Sequence, residues 1–146
     1  MDMSLSLDER FSHALHTTAR AWRLALDRRL KDLGMGQASW MAIAAVAKAQ
    51  PLSQTELARH LGVEDPTMVA MLDRLVKAGY LQRTPSGSDR RVKLVSLTPA
   101  GQDIYTRVKK EANAFRQELL GNTDPATLAI VTGFLEQLQA AVEAKL

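Results

Sequence analysis

Cysteine is absent from the chain. That excludes disulfides, zinc–thiolate sites, iron–sulfur clusters and thiol-based redox sensing. Long apolar runs are missing as well. The longest stretch without a charge or a proline, Leu33 to Ala47, contains two glycines, a glutamine and a serine. No segment approaches the roughly 20 apolar residues of a membrane span. Met1 to Arg10 is mixed and acidic, unlike the basic-then-apolar order of a secretory signal. The expectation is a cytoplasmic protein with no membrane partner. Catalytic signatures are lacking too, since no Gly-x-Ser-x-Gly occurs. His13 and His16 stand three apart, but His60 is remote in sequence and no thiol can complete a metal site. Glu64 and Asp65 are neighbouring acids at a helix start, which is ordinary compensation of the helix dipole. No catalytic residue, metal site or cofactor is expected.

What remains has the balance of a soluble globular protein, 46% hydrophobic and 24% charged over 146 residues. The charge is unevenly placed. Residues 51–110 hold 10 basic and 6 acidic side chains, whereas residues 111–146 hold 2 and 5. A basic centre suits a polyanion, and the acidic end suggests a separate task.

Periodicity predicts a long first helix over 8–33, with Phe11, Leu15, Trp22, Leu26, Leu30 and Leu33 on one face. Gly34-Met35-Gly36 ends it. An alanine-rich helix over 37–49 follows, and Pro51 breaks it. Ser53 with Glu56 three residues later reads as a capping box, and Gly62 as the C-terminal stop. Asp65 is expected to cap the next helix, with Pro66 at its first position. Val69, Met71/Leu72 and Leu75/Val76 form its expected apolar stripe. After Gly79 the pattern becomes extended. Tyr80–Arg83 and Val92–Leu97 read as hairpin strands around a polar tip. Thr98-Pro99 and Asp124-Pro125 each repeat the cap-then-proline start of a helix.

The order from 37 to 97 is therefore helix, short helix, tight turn, helix, basic hairpin. It defines a mainly α (α+β) fold, a winged helix-turn-helix over 34–98 flanked by helices at 1–33 and 99–146. The second helix of such a pair needs a small leading edge to enter a major groove. Pro66, Thr67, Met68, Ala70, Met71 and Arg74 are the candidates there. The N-terminus of that helix also offers free N–H groups to phosphate. Ser53, Gln54 and Thr55, which open the preceding helix, are further candidates for contact with DNA. Ser88, Asp89, Arg90 and Arg91 form a tip suited to an adjacent minor groove. The expected partner is double-stranded DNA carrying a pseudo-palindromic operator. A winged-helix adaptor that binds protein instead is the competing reading, and the paired arginines count against it.

The residues also carry a family resemblance. Gln54-Thr55-Glu56-Leu57-Ala58-Arg59-His60-Leu61-Gly62-Val63 and Leu72-Asp73-Arg74-Leu75-Val76-Lys77-Ala78-Gly79-Tyr80-Leu81 resemble the paired helices of MarR-type transcriptional regulators. Ser88-Asp89-Arg90-Arg91 and Val95-Ser96-Leu97-Thr98-Pro99-Ala100-Gly101 resemble their wing and the start of the helix beyond it. Ala21-Trp22-Arg23, Asp27-Arg28-Arg29-Leu30 and Gln37-Ala38-Ser39-Trp40 are similar to the SlyA-like branch. The likeness covers about residues 10–145 and implies a homodimeric, ligand-responsive repressor or activator. Many SlyA-like relatives place an arginine where this chain has Ala70, so either the operator differs at that base or Thr67, Met68 and the wing carry more of the specificity.

Two further surfaces complete the reading. Leu128, Val131, Leu135, Leu138 and Val142 step 3, 4, 3, 4 along the last helix, an a/d seam with too little chain left to cover it. With Phe11 and Leu15 on the first helix, it is expected to form a homodimer. Arg20, Arg23 and Trp40, with Ala44 one turn on, are placed to hold a small aromatic acid between guanidinium groups and an indole.

Overall fold

A computed structural model describes residues 4–146, apart from the side chains of Gln37 and Ala38. The parts of the terminal and Gln37-Ala38 readings that fall on Met1 to Met3 or on those two side chains lie outside the described residues. By internal contacts the chain forms two units, residues 1–112 and 113–146.

In the first unit, α1 spans Leu7–Leu30. Ser6 Oγ accepts the Glu9 N–H at 3.1 Å, and Glu9 Oε1 accepts the Ser6 N–H at 3.3 Å. This reciprocal box satisfies two donors that the first turn leaves open. The helix stops three residues short of the expected end. It tightens to a 3-10 turn over Lys31–Leu33, and Gly34 follows at φ 74°. Arg29 Nε meets Glu111 Oε2 at 3.1 Å, tying α1 to the helix after the wing.

Helix α2, Gln37–Ala49, buries Ala42, Ile43 and Val46. A two-residue strand, β1 (Leu52–Ser53), leads into α3, Gln54–Leu61. Ser53 Oγ accepts the Glu56 N–H at 3.1 Å, as the capping pattern requires. Gly62 closes α3 at φ 65°, a backbone conformation that a Cβ disfavours. Helix α4 spans Asp65–Lys77. Its N-cap is Glu64, one residue earlier than expected, and no side chain caps it. Asp65 instead occupies the first turn, where its charge still suits the dipole.

Strands β2 (Leu81–Pro85) and β3 (Lys93–Leu97) form the hairpin, in register Leu81 to Leu97 and Arg83 to Val95. β1 joins β3 on its other edge, Leu52 opposite Val95, giving the order β1-β3-β2. The core of this unit gathers Leu52, Leu57, Met68, Leu72, Leu81 and Val95 with the buried face of α2.

Helix α5, Pro99–Leu120, begins against the wing. Thr98 donates its hydroxyl to the Gly79 carbonyl and accepts the Gly101 N–H at 3.0 Å. Its own N–H reaches the Tyr80 carbonyl at 3.1 Å. Gly101 is buried, and a Cβ there would lie 2.0 Å from that same Tyr80 oxygen. The Leu-Thr-x-x-Gly pattern thus has a mechanical reason: threonine ties the turn and glycine admits it.

The second unit contains the end of α5 and α6, Pro125–Glu143. Asp124 accepts from the Thr127 N–H at 3.1 Å and the Thr127 hydroxyl at 3.0 Å. No described residue of α6 is fully buried.

Candidate nucleic-acid interface

The buried stripe of α4 is Met68, Met71, Leu72 and Leu75, none more than 4% exposed. Met68 and Met71 are therefore not reading residues, a correction to the sequence reading. Both side chains fill the core, for which the unbranched thioether is suited. Val69, expected in the core, is instead 37% exposed. The helix is rotated so that Pro66, Val69, Ala70 and Asp73 share the opposite face. Thr67 and Arg74 are exposed beside them.

Asp73 and Arg83 join this face to the wing, with Arg83 Nη2 at 2.8 Å from Asp73 Oδ1. The wing tip has its own internal order. Ser86 and Ser88 hydroxyls meet at 3.1 Å, and the Ser88 N–H reaches Ser86 Oγ at 3.3 Å. Asp89 accepts the Arg91 N–H at 3.0 Å and its guanidinium Nε at 3.3 Å. The backbone donor first, and the guanidinium second, hold the Asp89 carboxyl below its ordinary value. Arg91 remains 92% exposed on its side chain, so it is oriented without being consumed. Arg90 is exposed.

The start of α3 and the wing converge. Ser53, Gln54 and Thr55 line one cleft of about 200 Å³ with Arg91, Val92 and Lys93. Residues almost 40 positions apart thus surround one concavity, where a helix N-terminus faces a guanidinium and an ammonium. Such a site suits a backbone phosphate. Lys93 was not among the sequence candidates. Its only sequence signal was a positive charge on the return strand.

The other expected residues stand as follows. Arg20 and Arg23 are exposed on α1, and Trp40 and Ala44 are half-buried on α2. The Trp40 Nε1 and an Asp27 carboxylate oxygen are buried without a hydrogen-bond partner among the described residues. A nearby cleft of about 510 Å³ is lined by Leu24, Asp27, Arg28, Lys31, Gly34, Met35 and Gly36, and neither Arg20 nor Arg23 is among its walls. On α1, Phe11 and Leu15 are each 38% exposed. On α6, Val131, Leu135 and Val142 are exposed, while Leu128 and Leu138 are half-buried. Phe134 and Ile130, absent from the sequence reading, are exposed there as well. Among the described residues no cluster of His, Asp or Glu could hold a metal, and no helix is long and apolar enough to cross a membrane.

Paired helices, a three-stranded sheet and a basic wing define a winged helix-turn-helix protein. Comparison with known proteins places it further. The model of the MarR family matches residues 33–92, from the end of the 3-10 turn to the wing. The solved transcriptional regulator PA3341 is 35% identical, with a TM-score of 0.84 over 92% of this chain and 98% of its own. The chain belongs to the MarR family. A mutant E. coli MarR, solved in complex with operator DNA, is 25% identical, with a TM-score of 0.78 over 92% of this chain and 99% of its own. A MarR protein from Peptoclostridium difficile, at 21% identity, shares the fold with a TM-score of 0.85 over 99% of this chain and 94% of its own.

Proposed function

We propose that this chain is a homodimeric, sequence-specific regulator of transcription, a repressor or an activator, that binds a pseudo-palindromic operator in the cytoplasm and belongs to the SlyA-like branch. One observation carries the reading. The cleft shared by Ser53, Gln54, Thr55, Arg91 and Lys93 lies in the same lobe as an exposed α4 face with a small leading edge. The E. coli relative was solved with operator DNA, which supports the same use here. In this reading residues 34–98 form the DNA-binding lobe, and 1–33 with 99–146 form the dimerisation lobe. The exposed apolar side chains of α6, Val131, Phe134, Leu135 and Val142, support a second copy as their cover.

A small aromatic acid is the proposed effector, bound near Arg20, Arg23, Trp40 and Ala44. The buried, unpaired indole N–H of Trp40 is a donor that a carboxylate oxygen would satisfy.

The test is selection of duplexes from a random library by the full-length protein, followed by mobility shift across a salt series. A two-fold consensus with half-sites about 10 base pairs apart, bound with a steep salt dependence, is the expected result. Absence of any enriched duplex would overturn it in favour of a protein-binding adaptor.

A further inference from the structure

The face that α4 turns outward is unusual for a helix offered to base edges. Pro66, Val69, Ala70 and Asp73 recur at steps of 3, 1 and 3, a single stripe opposite the buried Met68, Met71, Leu72 and Leu75. The packed stripe fixes the rotation of the helix, so Val69 and Ala70 have no inward alternative. Through the first two turns this stripe holds no hydrogen-bond donor, and Thr67 and Arg74 are exposed beside it. The next position along it, Asp73, is already engaged by Arg83.

Major-groove chemistry then narrows the partner. Guanine presents two acceptors, adenine an acceptor and a donor, and cytosine a donor. Each needs a polar side chain, and burying it against valine and alanine methyls would leave it unsatisfied. Thymine alone presents a methyl group at the groove edge. Resting on the DNA-binding reading above, we infer that Val69 and Ala70 specify thymine in each half-site by packing on its 5-methyl group. The basic residues of the wing, Arg90, Arg91 and Lys93, supply affinity without base choice.

The experiment uses the highest-affinity duplex recovered from a random library. Each thymine is replaced in turn by deoxyuridine, which removes the methyl and keeps the base pair. At one or two positions in each half-site the affinity is expected to fall about threefold to tenfold. In Val69→Ala or Ala70→Gly protein that thymine-to-uracil ratio falls toward one at the position each residue reads. Val69→Thr, which keeps a methyl, retains it. Far-ultraviolet circular dichroism checks that each variant is folded. Selected duplexes bound with unchanged affinity at every substitution would overturn this inference and leave the DNA-binding reading intact. Failure to select any duplex would overturn both.

Discussion

The guanidinium of Arg83, on β2, lies 2.8 Å from the carboxylate of Asp73, on the outward face of α4. The pair bridges the two elements proposed to touch DNA, so its main effect is expected on their mutual angle. The Asp73 side chain is 60% exposed, and pairs in such surroundings add little to stability, roughly 0–1 kcal/mol. Arg83→Ala is therefore expected to lower the melting temperature by no more than a few degrees, yet to weaken operator binding about tenfold or more. The charge-reversed double variant, Asp73→Arg with Arg83→Asp, should recover part of that loss. Equal and additive losses in the double variant would show that the bridge does not set the geometry.

Gly101 is a second fixed point. A methyl group there would sit 2.0 Å from the Tyr80 carbonyl oxygen, and the two nearest atoms, the Tyr80 oxygen and its carbon, are backbone. Gly101→Ala is expected to destabilise the fold by about 2–4 kcal/mol, because α5 must lift off the turn and lose the Thr98 bonds. Urea unfolding measures this. A variant as stable as the parent would mean that the turn yields freely.

The wing arginines are proposed to act through charge. Removing both, Arg90→Ala with Arg91→Ala, takes away up to about two phosphate contacts, and the slope of log K against log salt should become shallower by roughly 1 to 2. Lys93→Ala should add roughly one more unit if the cleft it shares with Ser53 holds a phosphate. The selected consensus should stay the same, since these residues position rather than read. An unchanged salt slope in the double variant would remove the wing from the interface.

Aromatic carboxylates such as salicylate are expected to weaken operator binding and to change tryptophan fluorescence. A hundredfold release requires about 2.7 kcal/mol of preference for the DNA-free form, a size compatible with one carboxylate–arginine pair. Trp40→Ala should blunt the response. Flat fluorescence together with intact binding at millimolar ligand would retire Trp40 as an effector contact.

The last helix is the proposed dimer seam. Ile130, Val131, Phe134 and Leu135 are between 39% and 73% exposed on one chain. Covering such surface is worth roughly 25 cal/mol per Å². Sedimentation equilibrium at micromolar protein should find twice the 16.1 kDa chain mass. Leu135→Glu should shift it toward the single chain and reduce operator affinity with it. A parent protein that sediments as one chain would sink the dimer.

Most helix boundaries were legible before any coordinates, because their causes lie within a few residues. Ser53 reaches only to Glu56, Asp124 only to Thr127, and Gly62 needs nothing but its own backbone freedom. The order of helices, turn and basic hairpin follows from such local signals, and with it the fold class and the convergence on nucleic acid. The order within the wing tip is local too, since Asp89 reaches Arg91 only two residues on.

Tertiary structure decided the features whose partners are distant. β1 is two residues long, too short to show a period, and exists only because β3 pairs with it. The Asp73–Arg83 bridge, the Gly101–Tyr80 approach and the joining of Lys93 to Ser53 all span sequence separations that no local pattern records. The reading face of α4 turned on the same point. With apolar residues at 68, 69, 71, 72, 75 and 76, the sequence by itself determined that an amphipathic helix stands there. Two stripes about 100° apart were equally consistent with it. Packing against α2, α3 and β2 selected the one that takes Met68 inward, and so left Val69 to face the solvent.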